Sequence, residues 1–244
     1  MAGPPWFYYP FDHLNSEKLE LSGVEANHIL GARRIHPGDE LVLSNGQGRV
    51  ANCTLLEADK KSRSLILLVS LIAEIEPPQK QIILASALAK GDRLSNLLDM
   101  ACQLGMTCFQ PVHFERSVGK WSDNLAQRCE RIVIEACKQS KQAWLPRINA
   151  ICDYAEIPWG SKEGTVLTLL TDPYGRPMDA FQEEIAQADT LRIVVGPEGG
   201  LSDTELSHAQ EEGGPKVRLA SHILRVETAA VASIAALQAH VVYE

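Results

Sequence analysis

The stretch with the clearest chemistry is LRIVVGPEGGLSDTE, Leu191 to Glu205. An apolar run ends in Gly196, Pro197, Glu198, Gly199 and Gly200, and a helix start follows. A phosphate loop of the P-loop type needs a lysine after its glycines, and a dinucleotide fingerprint needs GxGxxG. GPEGG supplies neither. The carboxylate of Glu198 would repel phosphate and suits a ligand with hydroxyls, an amino group or a positive centre. An adenosine carrying a sulfonium fits that description. A plainer reading also stands: a tight strand-to-helix turn, with Glu198 near a helix N-terminus where the dipole favours it.

Three other charged groups lie at similar junctions. LASHILRVETAA, Leu219 to Ala230, puts Arg225 and Glu227 between a strand and a helix. That is the carboxyl edge where open sheets bind ligands; an Arg–Glu surface pair with Thr228 in the first turn is the alternative. Lys90, Asp92 and Arg93 follow one strand, and Glu115, Arg116 and Ser117 follow the next. Capping by Asp92 and solvated arginines would explain them equally. A helix from Asp123 carries Arg128, Arg131 and Lys138 at helical spacing, a basic face or a solvated one. Arg33 and Arg34 form a second basic spot. The seven histidines form no HxxxH or HxH pair, so no metal site is expected, and no GxSxG elbow is present.

The elements that must hold these residues fall into two rhythms. Residues 1–73 contain LELSG, ELVLS, RVANCTLLEA and SLILLVSLI, short β-prone runs separated by turn signals such as NGQG. They predict a small β-barrel, with a short helix over Asn27 to Arg34. EIEPPQK, residues 74–80, is the expected linker. From residue 81 to 244 the pattern is α/β. QIILASALA, TCFQPVHF, TVLTLLTD, LRIVVG and KVRLA read as strands. Leu94, Leu97, Leu98, Ala101 and Leu104 mark a helix closed by Gly105, and residues 123–140 mark another. Ser202 and Glu205 have capping-box spacing. The last helix, Glu227 to His240, is apolar nearly all round, which predicts burial in the core or against a second subunit. Strands alternating with helices imply a mostly parallel sheet.

Composition sets outer limits. A net charge of −8, taken alone, argues mildly against a nucleic-acid partner, although a local basic patch can suffice for one. No run reaches the roughly 18 apolar residues of a membrane span, and no secretory signal is read at the N-terminus. Six scattered cysteines without a CxxC pair are expected as free thiols in a reducing, cytoplasmic setting.

Taken in order, GPEGGLSDTE, then ILRVETAA some twenty residues on, resemble the RsmE family of SPOUT-type methyltransferases. KGDR at 90–93, QLG at 103–105, ERS at 115–117, EACKQS at 135–140 and ANHILGARRIHPGD at 26–39 follow the family order. The resemblance covers nearly the whole chain. It implies a PUA-like RNA-binding barrel, a SPOUT α/β domain with a C-terminal trefoil knot, a homodimer and S-adenosylmethionine as methyl donor. It implies an enzyme that methylates N3 of a specific uridine in 16S ribosomal RNA. Cofactor contacts then fall to Leu170, Thr171, Gly196, Glu198, Gly199, Gly200, Leu201, His222, Ile223, Leu224, Arg225, Thr228 and Ala229. Arg225 and Glu227 become the catalytic pair, Arg225 facing the uracil anion and Glu227 orienting it or accepting a proton. RNA contacts fall to Arg33, Arg34, Lys90, Arg93, Arg116, Arg128, Arg131 and Lys138. The chain departs from the family pattern at DMACQLG (99–105), at Lys138 and Gln142, and in PPWFYYP, which lacks the usual arginine. Two other readings are a SPOUT methylase for another RNA and a non-catalytic RNA-binding factor.

Overall fold

The computed structural model describes residues 3–11, 17–32, 35–59, 61–159 and 166–241. They form two compact units. The first comprises residues 1–77 together with 137–145, and the second comprises 78–136 and 146–244. The chain passes from one to the other between Pro77 and Pro78, inside the EIEPPQK stretch.

The first unit is a five-stranded sheet with the order β1-β3-β4-β5-β2. β1 is Trp6–Tyr8, β2 Lys18–Ser22, β3 Glu40–Ser44, β4 Arg49–Asp59 and β5 Ser64–Glu74. The β-prone runs read from sequence all appear, and β5 takes Glu74 from the expected linker. β1 pairs parallel with β3, Phe7 opposite Leu43; its three residues are too short to show a period. β3 and β4 form the expected hairpin around NGQG. The Asn45 side chain accepts from the amides of Gln47 and Arg49, which shapes the turn. Helix α1, Val24–Ala32, starts earlier than the Asn27 expected, since Gly23 at φ 77° accepts from the Asn27 amide. Phe7, Leu21, Ile29, Leu41, Leu43, Leu55, Leu65 and Leu67 make the core. The returning segment 137–145 adds Trp144, whose indole donates to the carbonyls of Ile75 and Glu76.

The second unit is built on a seven-stranded sheet in which every pairing is parallel. Its strands are β6 (Gln81–Ser86), β7 (Cys108–His113), β8 (Arg147–Ile148), β9 (Cys152–Asp153), β10 (Val166–Pro177), β11 (Thr190–Val195) and β12 (Lys216–Arg218). The order is β12-β10-β11-β6-β7-β8, with β9 also on β7. The central strand β11 is apolar along Ile193–Val195, three successive buried residues without alternation, as parallel strands tend to be. Helix α2, Asp92–Gln103, buries the expected Leu94, Leu97, Leu98 and Ala101, and Gly105 follows it at φ 86°. Helix α3 spans Asp123–Ser140, as its stripe predicts. Helices α4 (Gln182–Gln187) and α5 (Asp203–Glu211) follow, with the predicted capping box between Ser202 and Glu205 in place. Helix α6, Val226–Gln238, packs against α2, β6 and β11 through Ala230, Ile234 and Leu237.

None of the six cysteines forms a disulfide, and burial pushes the thiols of Cys53 and Cys129 up to about 11. Thiols held that far above neutrality are inert packing groups. Among the described residues no helix is long and apolar enough to cross a membrane.

Candidate active site

Parallel strands deliver their C-terminal loops to one edge. There β10 carries buried Leu170 and then Thr171, whose hydroxyl donates to the Val194 carbonyl on β11 at 3.1 Å. The register of β10 against β12 then shifts between Thr171 and Arg176. Asp172 to Gly175 bulge outward in between. Asp172 accepts from the Tyr174 amide and pairs with Lys216 at 3.2 Å. Bulges of this kind cluster beside active sites.

β11 leads into GPEGGL. Pro197 is buried, whereas Glu198, Gly199 and Gly200 are exposed. The Gly200 amide donates to the Pro197 carbonyl, closing a turn that needs φ 70° at Gly200. A side chain at Gly199 would sit 3.2 Å from the Cβ of Arg116. Arg116 lies across the loop, and its Nη1 donates to the carbonyls of Gly199 (3.1 Å) and Leu201 (3.2 Å). The buried carboxylate of Glu205 joins the same two segments. One oxygen accepts from the Glu115 amide and the other from Ser202, each at 2.8 Å. The Tyr154 hydroxyl donates to the Glu205 carbonyl. Burial, and then Glu205, push that hydroxyl well above the ordinary phenol range, so it stays a donor.

The third loop follows β12. His222 and Ile223 are exposed, Ile223 to 87%, and Leu224 is half-buried. Arg225 is the N-cap of α6, with extended backbone (ψ 158°) and no side-chain cap bond. Its guanidinium is exposed and has no hydrogen-bond or ion partner among the described residues. Thr228 is exposed and Ala229 buried in the first turns. Glu227 is not tied to Arg225. One carboxylate oxygen lies 3.7 Å from Nε of Arg93, at the start of α2, and the side chain is only 14% exposed. The other oxygen is buried without a hydrogen-bond partner. An unsatisfied buried carboxylate oxygen is costly, and at such a position a water, an ion or a ligand supplies the donor.

The cationic candidates have varied surroundings. Lys90 is exposed. Arg128 donates to Ser95 at 2.8 Å and pairs with Asp92 at 3.3 Å. Arg131 is exposed and bonds the Gln127 carbonyl one turn back. Lys138 belongs to the first unit and lies over the Phe7 ring. Arg33 and Arg34 lie outside the described residues. The groups that the sequence did not single out are Asp172 with Lys216, and Glu205 as a tie to Glu115. Glu205 had a local signal in its capping-box spacing, but only for one of its two oxygens.

The all-parallel α/β unit, with a glycine loop and the helix that opens at Arg225 on its carboxyl edge, and the small β unit before it match the class of RNA methyltransferases. Residues 76–238 match the RNA methyltransferase domain family, and 21–68 match the RNA methyltransferase PUA domain. The chain is 30% identical over 227 residues to the ribosomal RNA small subunit methyltransferase E of Mycobacterium bovis, covering 89% of this chain and 84% of that one. It is 27% identical to the Bacillus subtilis protein of the same name, covering 93% and 94%. The crystal structure of the Neisseria gonorrhoeae protein of that name, bound to S-adenosyl methionine, superposes with a TM-score of 0.86 at 27% identity. That superposition covers 97% of this chain and 98% of the other. This chain belongs to the ribosomal RNA small subunit methyltransferase E family.

Proposed function

We propose that this protein transfers a methyl group from S-adenosylmethionine to N3 of one uridine in 16S ribosomal RNA of the small subunit. The observation that carries the reading is the three-loop edge at Leu170-Thr171, Gly196–Leu201 and His222–Ala229, in a chain similar along its length to small-subunit RNA methyltransferases. The residues fit the donor. Exposed backbone at Gly199 and Gly200 admits a flat ligand closely, no lysine stands in the loop to meet a phosphate, and Glu198 is open to a cation.

When bound, the cofactor supplies an electrophilic methyl on a cationic sulfur. Leu170, Thr171 and the glycine loop hold it in register with the base, which supplies much of the acceleration. Uracil N3 must lose its proton, and charge then spreads onto the carbonyl oxygens. The free guanidinium of Arg225 stabilises that charge. Glu227, with an oxygen lacking a donor, accepts the N3 proton directly or through water. The base must leave any stack to reach the edge, which suits an unpaired target. Lys90, Arg93, Arg128 and Arg131 contact RNA phosphates, and the barrel unit, residues 1–73, binds RNA separately through Arg33 and Arg34.

The same reading includes a C-terminal knot and a homodimer. In support of the knot, the chain leaves β12 at the sheet's edge and returns to α6, which packs on β6 and β11 in its middle. In support of the dimer, α6 leaves Thr228 and Ala235 uncovered on one stripe. Sedimentation at the monomer mass of 26.8 kDa would sink the dimer.

The deciding experiment is transfer of labelled methyl to small-subunit RNA from cells lacking the mark, with the product nucleotide mapped. Label at a uridine N3 is expected; no label, or label elsewhere, overturns the reading. For the cationic face, Arg128→Ala/Arg131→Ala should weaken RNA binding and flatten the slope of log affinity against log salt by about two. An unchanged slope would leave the face merely solvated.

A further inference from the structure

We infer that Arg116 is a positioning residue: it clasps the GPEGGL loop in the shape that accepts the methyl donor, rather than gripping RNA. The inference deepens the function proposed above and rests on it for the identity of the ligand. A solvated arginine reaching for phosphate would leave Nη1 without protein partners. Nη1 of Arg116 instead donates to two carbonyls, Gly199 and Leu201, on either side of Gly200. Gly200, between them, sits at φ 70°, a conformation that favours glycine. Those two bonds fix the orientation of the Gly199 and Leu201 carbonyls within the loop.

The fit is mutual. A Cβ at Gly199 would lie 3.2 Å from Cβ and 3.6 Å from Cδ of Arg116, so the glycine makes room for the arginine as well as for the ligand. The turn carrying Arg116 is itself fixed. The Phe114 amide donates to the Ser117 hydroxyl at 2.9 Å, and the Glu115 amide to Glu205 at 2.8 Å. Glu205 in turn holds the Ser202 amide at the end of the glycine loop. Two ties, one cationic and one anionic, thus bind the turn after β7 to the loop after β11.

The test compares wild type, Arg116→Ala and Arg116→Lys. The readouts are calorimetric affinity for S-adenosylmethionine, amide hydrogen exchange over residues 196–202, and RNA affinity at two salt concentrations. Arg116→Ala should weaken S-adenosylmethionine binding about tenfold, the scale of one charge-assisted hydrogen bond. It should speed exchange of the Gly200 amide by a similar factor and leave the RNA salt slope unchanged. Arg116→Lys, which keeps the charge but loses the planar fork, should recover only part of either effect. Unchanged exchange together with unchanged cofactor affinity overturns the clasp. So does a loss of RNA affinity with a flatter slope and an undisturbed loop. If the wild type takes up no S-adenosylmethionine while the loop still loosens in Arg116→Ala, the functional reading fails and the clasp stands.

Discussion

Arg225→Ala lowers kcat for methyl transfer by about 10²–10³-fold, the usual loss when one preorganised donor to a developing anion is removed, while cofactor affinity falls far less. The expectation rests on how α6 begins. Val226 is buried and anchors the first turn, and the extended N-cap backbone swings the Arg225 side chain off the helix. The guanidinium is exposed and has no partner among the described residues, so its donors are available to substrate. For the same reason the substitution should change stability by less than about 0.5 kcal/mol. Arg225→Lys keeps the charge but not the fork and should fall between the two. Pre-steady-state transfer under saturating RNA measures the step directly. A normal rate with weakened RNA binding would make Arg225 a phosphate contact only.

Glu227→Gln separates chemistry from stability in the other direction. The side chain keeps its shape and loses its charge. Removing a proton acceptor of this kind lowers kcat by about 10²-fold. In stability, two effects oppose each other. The variant forgoes the attraction to Arg93 and the favourable placement of a negative charge in the first turn of α6, about 0.3–1 kcal/mol for the latter. It also removes the charge from a buried carboxylate whose second oxygen has no donor, and burying a neutral amide costs less than burying a charge. We expect thermal unfolding to move little or upward while transfer collapses. A large fall in melting temperature with transfer intact would make Glu227 a helix-capping residue and nothing more.

Local signals carried most of the fold. The stripe Leu125, Cys129, Ile132, Val133, Ala136 delimits α3, and the Ser202–Glu205 spacing gives the capping box, because both involve residues one turn apart. Positive-φ glycines mark the turns after α2 and α5 for the same reason. What could not be read was pairing at a distance. Glu227 and Arg225 are neighbours in sequence, yet the ion partner of Glu227 is Arg93, brought in by the packing of α6 on α2. Arg116 reads as a lone cation until β7 and β11 are placed in one sheet, when it meets carbonyls 83 and 85 residues away. The outward bulge of β10 was likewise hidden. DPYG, a turn signature, interrupts a strand whose partner β12 resumes pairing beyond it.

The position of β6 has a consequence for how the chain is made. β6 is the first strand of its sheet to be synthesised and an inner one, flanked by β7 and β11. β11 begins roughly a hundred residues later, so at about 5–20 residues per second a nascent chain carries β6 with one flank open for about 5–20 seconds. The open flank presents the backbone of QIILAS, a short apolar segment able to add a strand from any neighbour. Production of this protein should therefore depend on holding that edge unpaired until the C-terminal third emerges. Slow translation between Ser86 and Thr190 would favour aggregates seeded there.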